Sequence, residues 1–241
     1  MLGIIGGTGF AQFVNLQDIE AETLQTPFGS TYIERGLLGK EPVIFLPRHG
    51  NPPQFPPHKV NYRANIQSLS DLGVERIIST TAVGSVDPEL EVCDLVVPDQ
   101  IIDYTFGREH TFYKDEIQHI DFTYPYDQPL RRSLLAAAKA IPQCTIRSRG
   151  VYGCTQGPRL ETAAEVKRMQ RDGCTIVGMT AMPEAALARE KGIAYAGISF
   201  VVNAGAGIDD QAIDMDALTT AIASGTSMVA AVINAYVRSA S

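Results

Sequence analysis

The strongest constraint on the fold is a set of short apolar runs that recur along the chain: Leu2 to Ile5, Val43 to Leu46, Ile77 to Thr80, Leu95 to Val97, Thr175 to Gly178 and Ile198 to Val202. They are rich in β-branched residues, and several lack strict polar and apolar alternation, the pattern of strands covered on both faces. Segments of helical period lie between them. Tyr62, Ile66 and Leu69 fall at i, i+4 and i+7 and stop at Gly73. Leu130, Leu134 and Ile141 follow Pro129, a good first-turn residue. Thr162 and Glu165 have capping-box spacing ahead of Val166 and Met169, with Gly173 as the stop. A last helix reads from about Asp214 to Val237, with Leu218, Ala221, Ile222, Met228 and Val232 inward. Strands alternating with helices predict an α/β fold around a central sheet.

With 241 residues, 45% hydrophobic and 20% charged, the chain can bury one sizeable core and fits disorder, collagen and coiled coil poorly. No repeat or linker divides it, and the Pro-rich piece at 51–57 reads as an ordered loop, so one domain over 1–241 is expected. The net charge of -7 argues against coating a nucleic acid but leaves room for a local anion site. MLGIIGGTGF has neither the basic region nor the apolar length of a signal peptide, and no stretch approaches the roughly 18 uninterrupted apolar residues of a membrane span. A cytoplasmic protein with no membrane partner is expected. Cys93, Cys144, Cys154 and Cys174 form no CxxC pair, so they read as buried fillers rather than disulfides or a thiolate metal site.

Several strand ends carry groups suited to an anion. Gly3, Gly6, Gly7 and Gly9 surround Thr8, and glycine there lets the backbone turn tightly and offer N–H groups beside the Thr8 hydroxyl. A plain tight turn is the simpler alternative. The spacing also imitates a dinucleotide fingerprint, which leaves a nicotinamide-dependent reductase or a nucleotide-binding module as rivals. The reductase lacks a Tyr-x-x-x-Lys pair, and Pro27 interrupts its second unit. Arg48-His49-Gly50 follows an apolar strand, at the end where open α/β sheets bind ligands. A guanidinium fork and an imidazole suit an oxyanion, although an isolated Arg-His pair is usually a solvated surface feature. Thr80 to Ser85 repeats the theme as strand, then hydroxyls, then glycine-permitted backbone donors.

Glu161 stands just before the Thr162 cap, where the helix dipole favours an ionised carboxylate that can only accept; complementing that dipole at the surface is its plain alternative. Met179 and Thr180 end another strand ahead of a helix starting at Pro183, and Met179 alone would read as core. Asn203 ends the last strand with an amide that both donates and accepts.

In order, GIIGGTGF at 3–10, TPFGS at 26–30, RHG at 48–50, KVNYRANI at 59–66, TTAVGS at 80–85, QGPRLET at 156–162 and VGMTAMPE at 177–184 cover almost the whole chain. Together they resemble the trimeric purine nucleoside phosphorylases, most closely the methylthioadenosine phosphorylase branch. The resemblance implies a single-domain, three-layer fold with a mixed central β-sheet, a homotrimer, and cleavage of a purine nucleoside by inorganic phosphate. It implies phosphate held by Thr8, Arg48, His49, Thr81, the Ala82 N–H and Thr180, ribose against Met179, and substrate contacts from Asn203, Ala204 and Gly205. Asn203 and His49 carry the catalytic roles in this reading. The transition state of such a reaction resembles an oxocarbenium ion, so an anion must sit beneath the sugar while the leaving purine is stabilised. Phosphate is the nucleophile, so neither a metal nor an organic cofactor is expected.

Base preference follows from hydrogen-bond polarity. A 6-oxopurine offers N1–H where adenine offers an acceptor, so an ionised Glu161 fits the former and opposes the latter. By resemblance, the adenine-specific branch has a small hydroxyl residue at the Glu161 position and aspartates where Asn203 and Gly205 stand. Met215 and Leu218 match an apolar wall at the sugar 5′ end, and His119 matches a residue that reaches that end from a neighbouring subunit. The combination resembles a methylthioinosine phosphorylase, expected to give hypoxanthine and 5-methylthioribose 1-phosphate. Methylthioadenosine phosphorylase and inosine or guanosine phosphorylase are the alternatives.

Overall fold

The computed structural model of the chain describes residues 1–7, 15–142, 144–209 and 215–240, with main-chain description only at 215 and 240. Among the described residues eleven strands form one mixed sheet. β1 (Leu2–Gly6) lies between β4 (Glu41–Pro47) and β5 (Arg76–Ser85), parallel to both. β2 (Gln17–Thr26) and β3 (Gly29–Leu38) extend the β4 edge as an antiparallel hairpin. The long β11 (Ala194–Ala204) runs parallel to β5 along its other edge and then pairs with β6 (Leu95–Val96), which pairs with β8 (Ile146–Arg147). β7 (Gln100–Asp103), β9 (Val151–Cys154) and β10 (Ile176–Gly178) form a parallel set, and β10 joins β5 antiparallel.

Helices cover both faces. α1 (Tyr62–Asp71) and α4 (Ala181–Glu190) place Ile66, Leu69, Ala185 and Leu187 in one core with Ile5, Leu46 and Ile77. α2 (Gln128–Ala138) and α5 (Met215–Ala240) place Leu134, Val229, Val232 and Ile233 in a second, against Ile4, Phe45 and Ile198. α3 (Ala163–Asp172) lays Val166 and Met169 on the β9–β10 side. Its ends are those the sequence predicts: Thr162 and Glu165 form a complete capping box, and Gly173 closes it at φ 90. Glu165, also bonded by Arg159, is held down to about 2 by that guanidinium first and by the Thr162 N–H.

The structure corrects several sequence expectations. Thr80 to Ser85 is not a loop after a strand; β5 runs unbroken through it. α2 stops at Ala138, leaving Ile141 in the turn beyond. The α4 segment begins at Ala181, but Met182 is non-helical at φ -116, ψ 137, so regular helix does start at Pro183. On α5, Leu218, Ile222 and Met228 are only half-buried. By length and composition Asp216–Ser239 could cross a membrane. Here, however, α5 buries one face against β11, and at Gly225 a Cβ would lie 2.2 Å from the Phe200 ring, so the helix depends on glycine to approach that closely.

Candidate functional site

One edge of β5 changes partner midway. β1 pairs with it only as far as Ser79, and β10 takes over antiparallel at Gly84. Between them Thr80 to Val83 have a free edge in the middle of the sheet, bounded by the ends of β1, β4 and β10. The Thr80 carbonyl points to that edge, where it accepts from Arg48 Nη1 at 3.1 Å. Strand alternation puts the Ala82 amide on the same edge, and Ala82 is exposed although it sits in a central strand. A cavity of about 240 Å³ opens there. It is the kind of crevice that open α/β sheets use for ligands, at the point where strand order reverses.

The walls bring together most of the residues singled out from the sequence. Arg48, His49, Thr81, Ala82 and Thr180 line one part, and Glu161, Met179, Asn203 and Gly205 another. Ala204 is not among the lining residues. Thr8 lies outside the described residues, as does the Met215 side chain, while Gly7 does line the cavity. His119 is exposed on the long connection between β7 and α2 and does not line this cavity.

Arg48 is 2% exposed, and the structure changes its expected role. Its Nε donates to Glu184 Oε2 at 2.7 Å and its Nη2 to Glu184 Oε1 at 3.0 Å and Ser79 Oγ at 2.7 Å. Glu184 is wholly buried and also accepts from Ser79 Oγ at 2.7 Å and Tyr195 OH at 2.8 Å. Burial alone would lower the Arg48 pKa; the adjacent carboxylate outweighs it and the guanidinium stays charged. Most of its donors are thus already used. What remains without a partner among the described residues is the second Nη1 hydrogen, on the atom that lies 3.6 Å from where a Gly7 Cβ would be. Glu184 was legible only as the end of the VGMTAMPE segment; the signal that could have found it is that a strand-end arginine in an α/β core needs a carboxylate.

His49 is set by its neighbour. Nδ1 lies 2.7 Å from the Phe55 carbonyl, which can only accept, so Nδ1 carries the proton and Nε2 presents a lone pair. Burial first, and Arg48 second, lower its pKa below the ordinary histidine value. His49 therefore suits the protonated oxygen of a hydrogen phosphate better than a bare oxyanion.

Asn61 and Asn65, in the KVNYRANI segment, hold neighbouring parts of the chain. Asn61 caps α1 by accepting from the Ala64 N–H at 3.1 Å, and its Nδ2 donates to the Phe28 carbonyl at 2.6 Å, tying the β2–β3 turn to the helix. Asn65 donates to the Arg48 carbonyl at 3.4 Å.

On the opposite side, Thr155 Oγ1 donates to Glu161 Oε1 at 2.6 Å, fixing a carboxylate in the wall. Asn203 spends one amide hydrogen on the Ala204 carbonyl at 2.6 Å, leaving its second hydrogen and its oxygen. At Gly205 a Cβ would sit 2.5 Å from the Ser85 carbonyl and 3.2 Å from Val166, so no larger side chain fits without moving backbone. Gly157, at φ +62, leaves room for Met179, whose sulfur would be 2.6 Å from a Cβ there. Leu218 and Ile222 add an apolar wall from α5. The cysteines take no part: Cys154 is buried, its thiol pushed up to about 12 by desolvation, and no metal-binding cluster occurs among the described residues.

Glu184→Gln should destabilise the protein by about 3–5 kcal/mol in denaturant unfolding, because it leaves Arg48 charged and unpaired in the core. It should also weaken binding of a small oxyanion such as inorganic phosphate; an unchanged affinity by calorimetry would show that Arg48 is oriented without the carboxylate. The His49 sign is definite. Its native pKa is below the unfolded one, so the unfolded chain takes up a proton first as pH falls, and stability drops from about pH 7 downward until the native value is passed. Thermal melts in a phosphate-free buffer should show wild type losing more between about pH 7.5 and 5.5 than His49→Gln.

The chain matches the model of the Phosphorylase superfamily over residues 1–238. A protein of Pseudomonas syringae pv. tomato named "Probable S-methyl-5'-thioinosine phosphorylase" is 48% identical over 233 residues, 95% of this chain and 94% of its own. The 6-oxopurine nucleoside phosphorylase of Pyrococcus furiosus is 46% identical over 215 residues, 86% of this chain and 80% of its own. Among solved structures, a methylthioadenosine phosphorylase from an antarctic soil metagenomic library superposes with a TM-score of 0.92 at 34% identity, covering 98% of this chain and 85% of its own. The partner exchange on β5, the cavity it opens and the matched length agree: this chain belongs to the Phosphorylase superfamily.

Proposed function

We propose that the protein catalyses phosphorolysis of S-methyl-5′-thioinosine, giving hypoxanthine and 5-methylthioribose 1-phosphate. The observation that carries this reading is the carboxylate of Glu161, held by Thr155 in the same cavity as the anion donors of β5, β4 and β10. A carboxylate there accepts from the N1–H of a 6-oxopurine and faces the N1 lone pair of adenine. Asn203 and Gly205 support the same preference, because neither offers a second carboxylate and the glycine position has no space for one.

In this reading phosphate is held by Thr8, the free Arg48 hydrogen, His49 Nε2, Thr81, the Ala82 N–H and Thr180. An oxygen of phosphate attacks the anomeric carbon as the bond to the purine breaks. The positive charge that develops on the sugar lies over that anion, and the spare Asn203 amide hydrogen faces the leaving base. Met179 covers the ribose. Catalysis then comes from placement and electrostatics, with no cofactor or metal required. The apolar side chains of Leu218 and Ile222, with Met215, favour a methylthio group at the 5′ end. Exposed His119 supplies a contact to a neighbouring subunit's cavity in a homotrimer, and four free cysteines suit the reducing cytoplasm.

A second reading is an ordinary inosine or guanosine phosphorylase. Thr226 favours it: it is 1% exposed, lines the cavity, and its hydroxyl has no hydrogen-bond partner among the described residues, so it could serve a polar 5′ end.

A phosphate-dependent assay over inosine, adenosine and their 5′-methylthio forms should rank methylthioinosine first and methylthioadenosine far behind. The reverse order would sink the proposal, and equal use of inosine would favour the second reading. Asn203→Asp should shift the ratio of specificity constants toward adenine nucleosides by roughly 5- to 150-fold, the range set by one mismatched buried polar contact. An unchanged ratio would show that Asn203 does not read position 6.

A further inference from the structure

We propose that Arg108 is a positioning residue that sets the purine selectivity of this site by strapping together the ends of three neighbouring strands. The inference rests on the phosphorylase reading and deepens it. β7, β9 and β10 run parallel side by side, so the loops that leave them are neighbours, and those after β9 and β10 supply Glu161 and Met179 to the cavity wall. Arg108 lies in the loop after β7, just beyond Gly107 at φ +65, and its side chain crosses the ends of the other two strands.

It is 9% exposed and flanks the Tyr62 ring, 5.6 Å from its centroid. Nε donates to Gln156 Oε1 at 3.1 Å, and Nη2 to the carbonyls of Thr155 at 3.1 Å and Gln156 at 2.8 Å, just after β9. Nη1 donates to the Met179 carbonyl at 2.9 Å, just after β10, and to the Met182 carbonyl at the break in α4. All five guanidinium hydrogens thus have acceptors on the two loops. No ion pair between Arg108 and a carboxylate occurs among the described residues, so carbonyl dipoles, with the Tyr62 ring and its hydroxyl at 3.4 Å, hold its charge.

Both loops carry groups that the reaction needs. Thr155, whose carbonyl Arg108 holds, orients Glu161 through its hydroxyl, and its own N–H donates to the Gly178 carbonyl at 2.8 Å. Met179, whose carbonyl Arg108 holds, faces the sugar. The guanidinium therefore fixes the distance between the base acceptor and the sugar contact without touching either ligand group. Discrimination between purines is a difference between two bound geometries, and it is lost when the acceptor is free to swing. Lysine cannot replace the fork, having three donors on a single point charge.

The test uses Arg108→Lys, Arg108→Gln and Gln156→Ala, each assayed with methylthioinosine and methylthioadenosine and melted to confirm folding. Gln156→Ala removes one acceptor from the fork and leaves the carbonyls, so it reports even where the arginine variants do not fold. The ratio of the two specificity constants should fall by about tenfold or more in the Arg108 variants and by a smaller factor in Gln156→Ala. General loosening would lower both substrates together and leave the ratio unmoved. An unchanged ratio in every folded variant overturns the proposal, whereas a wild type with no phosphorolysis of either substrate overturns the underlying reading instead.

Discussion

The buried ion pair between Arg48 and Glu184 is the interaction on which the site depends. Both residues are almost wholly removed from water, so each charge is tolerable only because the other is there, with Ser79 and Tyr195 completing the hydrogen bonding. The pair links the end of β4 to α4 and passes beside β5, three elements far apart in the chain. It fixes the guanidinium so that one donor is left over at the cavity. A buried pair of this kind adds little to stability compared with an apolar replacement. Its value is geometric, since it holds a permanent positive charge at the floor of a chain whose net charge is -7.

Around that floor the two sides of the cavity are built differently. The side with Arg48 and His49 uses groups held by main-chain carbonyl bonds: the His49 ring by the Phe55 carbonyl, and the Arg48 carbonyl by Asn65. The opposite side uses the Glu161 carboxylate and the Asn203 amide, each with one bond already made, so that only part of its hydrogen-bonding capacity is open to the cavity. Where a residue is small, it is small for space. Gly205 abuts the Ser85 carbonyl and Gly157 the Met179 sulfur, so the outline of the cavity is drawn by side chains that are missing as well as by those present.

Much of this was legible in the sequence, and the reasons are specific. The α3 capping box and its glycine stop are local chemistry written in three positions, Thr162, Glu165 and Gly173, and they appear as read. The six buried runs were recognisable because both faces of their strands are covered. The β2–β3 hairpin was not, because its outward residues are polar and its strands, at the sheet edge, carry the charge pattern of a loop. Thr80 to Ser85 reads in the sequence as hydroxyls and a glycine that follow a strand, because they look like turn chemistry; they sit inside the strand because β11 pairs with it along the whole length. Glu161, Met179 and Asn203 could be placed because each ends a strand or begins a helix. Glu184 and Arg108 could not, since their partners are 136 and up to 74 positions away and nothing local announces them.

The exchange of partners along β5 leaves main-chain groups open to the cavity. The Ala82 donor belongs to the main chain, and it is available only because β1 ends before it and β10 begins after it. No side-chain substitution at position 82 short of proline can remove it. The residues that truly specify this donor are those that decide where two neighbouring strands stop. A relative could exchange side chains of its cavity wall and keep this main-chain donor, because its availability is a property of strand lengths.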